Sequence, residues 1–299
     1  MNVFIVRTRL QSLIIEEIIS IEKVSPYVLV VCYFDHKNED APEVYATYDK
    51  IKKEAVFSID VFASDKLLKN VAKYVSMQMI VSLTKGKVFL AGVDSFSFAL
   101  AAKLFPFAQI NTFDDGSYNV QKNSKYFCET PLARPGFKGL ISKLLFPKGG
   151  AKYLRARSKR HYTVFADLEN IVEKDRVMTL QWDWSKLLDQ RDVDELPAQV
   201  STIFLGTAFQ DFSERQQTKL RQKAVELMDS TDLYIMHPRE KSWLNHEKVT
   251  RLSSPAEAVL VYMQRASKDK LTVYHYDTTA AYSLRNYKDI KFIDLLSDD

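Results

Sequence analysis

Two adjacent carboxylates and a glycine, Asp114-Asp115-Gly116, lie at the heart of the segment Asn111-Thr-Phe-Asp-Asp-Gly-Ser-Tyr-Asn119. The apolar run before them, Leu104 to Ile110, reads as a buried strand ending in a turn, which sets both acids at a strand's carboxyl end. In open α/β sheets that edge is where ligands bind. An aspartate held there near a sugar hydroxyl can act as a general base, removing a proton as the hydroxyl attacks. Asp-Gly is also ordinary turn chemistry. The pair therefore gains meaning only if other parts of the chain supply partners.

His237-Pro-Arg-Glu240 is the second candidate, because it follows the apolar run Leu233 to Met236 and so also stands at a strand's carboxyl edge. Pro238 stops the strand and fixes the loop that carries the imidazole. An imidazolium or Arg239 at such an edge can bind a phosphate or protonate a leaving one; the plainer alternative is a histidine that only caps a strand. Gly206-Thr207, after Ile203-Phe-Leu205, lets backbone approach a ligand closely. Thr278-Thr279 opens a helix, where hydroxyls and amides either bind an anion or simply cap the helix. Glu257, in the first turn of its helix, is either a ribose ligand or a partner of the helix dipole. His36, His246 and His275 read as incidental.

No paired-cysteine, His-x-x-x-His or Asp-x-Asp arrangement stands near these residues, so no metal centre is expected, although Asp114-Asp115 could hold Mg²⁺ in principle. Neither a Gly-x-Gly-x-x-Gly nor a Walker pattern occurs, which weighs against dinucleotide cofactors and nucleoside triphosphates.

The elements that must position these groups alternate between strand and helix. Asn2 to Val6 is a strand feeding a helix around Leu13 to Ile19, and Val28 to Phe34 is the next strand, followed by a polar segment from Asp35 to Glu43. Lys66 to Met77 reads as a helix, Met79 to Leu83 and Lys87 to Ala91 as strands, and Phe96 to Phe105 as a packed helix. Between Glu129 and Arg160, Pro131, Pro135, Gly136, Gly139, Pro147, Gly149 and Gly150 punctuate a basic stretch that is too broken for a regular core element. Within it Phe137 to Phe146 is amphipathic enough to lie on a membrane or a partner; a solvated basic face is the alternative. Arg160 to Phe165 reads as a strand with His161 near its start, and Val177 to Trp184 with the following Asp189 to Glu195 as a crossover between domains. A second α/β set follows: strand Ser201 to Gly206, helix Glu214 to Met228, strand Asp232 to Met236, helix Pro255 to Arg265, strand Leu271 to Tyr276 and a helix at Thr278. This alternation predicts mostly parallel, doubly wound sheets.

With 299 residues, of which 46% are hydrophobic, the chain can bury one large or two medium cores. A net charge of +4 favours anionic small molecules or membrane surfaces and is too small to argue for nucleic acid. Cys32 and Cys128 lie far apart, which excludes a disulfide scaffold and suits a reducing cytoplasm. No signal peptide is expected from Met1 to Arg7, and no stretch approaches the ~18 uninterrupted apolar residues of a membrane span.

Phe113-Asp-Asp-Gly-Ser117 and Tyr234-Ile-Met-His-Pro-Arg-Glu240 resemble the Asp/Glu-Asp-Gly and His-Pro motifs of bacterial sialyltransferases. Arg160-His-Tyr-Thr-Val-Phe165 and Val273-Tyr-His-Tyr-Asp-Thr-Thr-Ala-Ala281 look more particularly like glycosyltransferase family 52, the lipooligosaccharide sialyltransferases. The resemblance implies an α/β fold of GT-B type, two Rossmann-like domains facing a central cleft. Residues 1–185 would form the acceptor side and residues 186–299 the CMP-donor side. It implies an inverting, metal-independent transfer from CMP-sialic acid to a terminal galactose of a glycolipid, with no cofactor. One of Asp114 and Asp115 would be the base. His237 would be the other catalytic residue, in contact with the CMP phosphate and a candidate general acid, with Pro238 and Arg239 beside it and Thr278 and Thr279 also at the phosphate, while Gly206, Thr207 and Glu257 would complete the donor site. It also suggests a homodimer and peripheral contact with the inner face of the cytoplasmic membrane. A transferase using another CMP-activated acid such as Kdo, or a non-catalytic glycan- or nucleotide-binding relative, would share most of these features.

Overall fold

The computed structural model describes residues 1–33, 42–62, 67–91, 96–122, 124, 126–127, 136–165, 167–241, 243–267 and 269–296. Cys128, His36, Pro131 and Pro135 lie outside them. The chain divides into two compact units, Met1–Gln181 and Trp182–Asp299.

The first unit runs β1 (Asn2–Val6), α1 (Arg9–Glu22), β2 (Tyr27–Tyr33), α2 (Pro42–Glu54), β3 (Phe57–Phe62), α3 (Leu67–Thr84), β4 (Lys87–Leu90), α4 (Phe96–Leu104), β5 (Gln109–Phe113), α5 (Gly136–Leu145), α6 (Gly150–Arg157), β6 (Ser158–Thr163) and β7 (Val177–Thr179). The strands pair in parallel in the order β3-β2-β1-β4-β5-β6-β7. The central strands β1 and β2 are apolar along almost their whole length and buried, as a sheet covered on both faces requires.

The second unit runs α7 (Gln190–Glu195), β8 (Thr202–Leu205), α8 (Glu214–Leu227), β9 (Leu233–Ile235), β10 (Val249–Thr250), α9 (Ala256–Ser267), β11 (Leu271–His275), α10 (Thr279–Ser283) and β12 (Ile290–Asp294). Its parallel sheet has the order β10-β9-β8-β11-β12. In both sheets the first strand has the second on one side and the fourth on the other, the doubly wound arrangement. Ligands bind such sheets at the carboxyl ends of the strands, where the winding reverses. In the second unit that point lies between β8 and β11.

Four segments differ from their sequence reading. The run Leu104 to Ile110 is not one strand, because α4 continues to Leu104, Pro106 stands two residues later, and β5 begins only at Gln109. Asn111 to Phe113 are therefore strand, and the polar Asn111 and Thr112 are buried. Met79 to Leu83 belongs to α3: Met77 and Val81 are buried one helical turn apart while Met79 is exposed, a helical and not an alternating pattern. The basic stretch contains two helices, α5 and α6, and its glycines Gly136 and Gly150 stand at their first positions. Val177 to Thr179 is the edge strand β7 and not a crossover.

Candidate active site

Asp114 follows β5 directly and is fully buried. Its Oδ1 lies 3.0 Å from Nε2 of His161, which is also fully buried, and its Oδ2 accepts the Val164 backbone N–H at 2.7 Å. His161 Nδ1 is 2.8 Å from Thr112 Oγ1, which lies 2.7 Å from Ser158 Oγ. A register shift creates this chain of contacts. Ile110 faces Ser158 but Thr112 faces His161, so β6 carries one extra residue and Lys159 and Arg160 both point to solvent. The bulge turns His161 inward where regular pairing would set Arg160 opposite Thr112, and the Ser158 hydroxyl closes it by donating to the Arg160 carbonyl at 3.0 Å.

Asp115 is half-buried, two residues beyond the end of β5, and its neighbour Gly116 has φ 86, a conformation that favours glycine. Its backbone N–H donates to Asn119 Oδ1 at 2.7 Å. Its carboxylate accepts from two groups distant from each other in sequence: Oδ1 from the Gln11 side-chain amide and Oδ2 from the Tyr126 hydroxyl. The two aspartates thus have different environments. Asp114 is sealed within the sheet edge, and Asp115 stands at its rim.

In the second unit, His237 follows β9 and is half-buried. Its Nδ1 accepts the Arg239 backbone N–H at 3.1 Å, so in the neutral ring the proton is on Nε2, which makes no hydrogen bond among the described residues. Burial, then the charges of Arg239 and Arg251, push its pKa down to about 4. The resting side chain is therefore a neutral Nε2–H donor, not the imidazolium that the sequence suggested. Arg239 itself is exposed and pairs with Asp211 through both guanidinium nitrogens, at 3.2 and 2.7 Å, and Pro238 is exposed, its carbonyl accepting from Arg251 at 2.9 Å.

The loop is held from below by Glu240, which is almost fully buried. Its Oε1 accepts from the Tyr234 hydroxyl at 2.8 Å and the Trp243 indole at 2.6 Å, and its Oε2 from the His237 backbone N–H at 3.0 Å. A Cβ on Gly206 would lie 2.0 Å from Glu240 Oε2 and 2.9 Å from the Tyr234 hydroxyl. The space over Gly206 is thus filled by Glu240, and its N–H is bound to the Ile235 carbonyl at 2.8 Å. Gly206 serves the His237 loop, whereas the sequence reading reserved that space for a ligand.

Thr207 and Thr278 follow the paired strands β8 and β11 and flank the switch point of this sheet. Thr278 caps α10, its hydroxyl accepting the Ala280 N–H at 3.4 Å and keeping its own proton for donation, and Thr279 begins the helix; both are half-buried. Asp277, just before them, has φ 45. Burial and the neighbouring Asp294 raise its pKa. His275, read as incidental, is buried at the end of β11 and accepts the Thr278 N–H at 3.3 Å. Glu257 is buried in the first turn of α9, its pKa raised by burial, and its Oε1 accepts the Ser283 hydroxyl at 3.2 Å. This contact ties α9 to α10.

Asp114 and Asp115 belong to the first unit; Gly206, Thr207, His237, Pro238, Arg239, Glu257, Thr278 and Thr279 belong to the second, on neighbouring strand ends. Among the described residues no three His, Cys, Asp or Glu side chains come together as a metal site, and no helix is long and apolar enough to cross a membrane. Gln11, Tyr126, His161 and Glu240 were not assigned from sequence. Two of them had a signal: Thr8-x-x-Gln11 has the form of a capping box, and Glu240 stands three residues after His237, within reach of its amide.

Comparison with known proteins adds to this geometry. A β-galactoside α-2,3-sialyltransferase that uses CMP-N-acetylneuraminate, from Pasteurella multocida, is 27% identical over 68% of this chain and 62% of its own length. N-acetyllactosaminide α-2,3-sialyltransferases from Neisseria meningitidis and Haemophilus influenzae are 23% and 26% identical over 68% and 69% of this chain, and over 53% and 62% of theirs. The matches thus span between about half and two thirds of these relatives. Among solved structures, the GT-B domain of a sialyltransferase from Photobacterium damselae has a TM-score of 0.50 at 14% identity, covering 98% of this chain and 89% of that one. A UDP-GlcNAc 2-epimerase from Methanocaldococcus jannaschii has a TM-score of 0.51 at 12% identity with the same coverage. The fold is α/β of GT-B type. The model of glycosyltransferase family 52 matches residues 31–298, and the chain belongs to that family.

Proposed function

We propose that this chain moves sialic acid from CMP-sialic acid to a terminal galactose of a surface glycolipid by an inverting, metal-independent displacement. The first unit would serve the acceptor and the second the donor. The observation that carries the assignment of roles is the asymmetry of the aspartate pair: in a family 52 chain, Asp114 is sealed against His161 and Val164 while Asp115 presents a half-buried carboxylate at the sheet's rim. Asp115 would take the proton of the galactose hydroxyl as that oxygen bonds to the anomeric carbon of the sialic acid. The bond from that carbon to the phosphate oxygen breaks, and CMP leaves with the electron pair.

CMP leaves as an anion, so the second unit has to stabilise negative charge. A neutral His237 suits this through its unused Nε2–H, and the hydroxyls of Thr278 and Thr279 supply further donors without a metal. Glu257 is buried, and its link to Ser283 would support the Thr278-Thr279 turn on the donor side. Thr207, across the switch point, completes the donor side. Peripheral contact with the inner face of the cytoplasmic membrane is supported by α5, where Leu140 and Leu144 are exposed on either side of Lys143. A homodimer is part of the same reading.

The test is a donor and acceptor screen of the purified chain with a metal chelator present. Transfer from CMP-sialic acid to galactosides, giving a product that a sialidase cleaves, is expected. Preference for CMP-Kdo would move the donor assignment, and binding of CMP-sialic acid without any turnover would leave a binding protein.

A further inference from the structure

We infer that Gln11, at the first strand-to-helix turn, is a positioning residue that aims the Asp115 carboxylate and keeps it ionised for proton abstraction; this rests on the reading of Asp115 as the base. Gln11 is almost fully buried. Its Oε1 accepts the backbone N–H of Arg7 at 2.7 Å and of Thr8 at 3.4 Å, while its own N–H points to Thr8 Oγ1 at 3.4 Å. Those two donors fix which end of the amide is the oxygen, because a flipped amide would set NH₂ against N–H and a carbonyl against a carboxylate. The amide nitrogen is left facing Asp115 Oδ1.

Tyr126, also buried, donates to the other carboxylate oxygen. The two oxygens of Asp115 are thus held by two separate donors, one on each side of the carboxylate. Among the described residues, its chain neighbour Asp114 with His161, and Arg155, which donates to the Tyr126 carbonyl at 3.2 Å, are further charged or titratable groups on this side of the sheet. Hydrogen bonds given to the charged form favour it, so Gln11 lowers the affinity of Asp115 for a proton.

A capping role alone makes a different prediction, because glutamate at this position caps α1 as well as glutamine does. Gln11→Glu keeps the acceptor for Arg7 and Thr8 but places a second carboxylate against Asp115. In the pH profile of kcat/KM for sialyl transfer, the acid limb of Gln11→Glu should move up by about one pH unit, about a tenfold loss on that limb, because like charges in one site raise a carboxyl pKa. KM for CMP-sialic acid should stay near wild type, while the melting temperature at neutral pH should fall, because the repulsion that raises the carboxyl pKa also disfavours the folded state. Thr8→Ala is the counterpart: it removes the cap hydroxyl and should lower stability while leaving the profile in place.

A Gln11→Glu profile that superimposes on wild type overturns the inference, as does a Thr8→Ala profile that moves equally. Asp115→Asn is measured alongside. If it keeps near wild-type transfer, the base assignment fails and the inference with it; if it is inactive while the Gln11→Glu profile does not move, only the inference about Gln11 fails.

Discussion

Gly206→Ala puts the packing beneath His237 to a direct test. The added Cβ would stand 2.0 Å from Glu240 Oε2, so the carboxylate has to leave its place. Three donors would lose their acceptor: the Tyr234 hydroxyl, the Trp243 indole and the His237 backbone N–H. A buried donor left unsatisfied costs about 1–3 kcal/mol. Tyr234 is fully buried, whereas Trp243 and His237 are half-buried and can recover part of the loss from water. The expected destabilisation is therefore roughly 2–5 kcal/mol. Urea unfolding followed by tryptophan fluorescence reads it in the right place, because all three tryptophans, Trp182, Trp184 and Trp243, lie in the second unit. Glu240→Ala completes a double-mutant cycle: once the carboxylate is gone only the Tyr234 hydroxyl, 2.9 Å from the new Cβ, has to shift slightly, so the double variant should cost little more than Glu240→Ala alone. A Gly206→Ala variant within ~0.5 kcal/mol of wild type, or additive costs in the double variant, would refute this packing.

His237, with a pKa near 4 in the folded chain and an ordinary value of 6.5 when unfolded, binds a proton more readily unfolded. Its contribution is thus fully present above pH 6.5 and is lost as pH falls from there toward 4, by at most roughly 3 kcal/mol, less what partial exposure removes. An NMR titration of its ring with a midpoint near 6.5 would contradict this. His161→Leu leaves the buried Asp114 side chain without its histidine hydrogen-bond partner and should destabilise the first unit by roughly 1–3 kcal/mol in urea unfolding followed by circular dichroism, where a loss under ~0.5 kcal/mol would be too small for that role.

The alternation of apolar strands with amphipathic helices was legible from sequence because burial on both faces demands it, and β1, β2, β4, β8 and β11 lie where the apolar runs lie. The carboxyl-edge placement of Asp114-Asp115 and His237 was legible for the same reason. The start of β5 was not: Phe105 and Phe107 extend the apolar run across a connection, and only the helix stop at Pro106 marks it. The partner of Asp114 was hidden because a bulge, not a periodicity, turns His161 inward, and bulges leave no regular pattern. Gln11 and Tyr126 meet Asp115 from positions far apart along the chain, so the carboxylate that is sealed and the one at the rim could be told apart only after folding.

The central claim is that Asp115 removes the proton of the acceptor hydroxyl. Asparagine matches aspartate in shape, can accept through its one oxygen from either Gln11 or Tyr126 but not both, and cannot take the proton. The rate of sialyl transfer from CMP-sialic acid to a galactoside, measured for Asp115→Asn with folding checked by circular dichroism, should fall by about a hundredfold or more. Transfer within about tenfold of wild type would contradict the claim, since a positioned base contributes more than that.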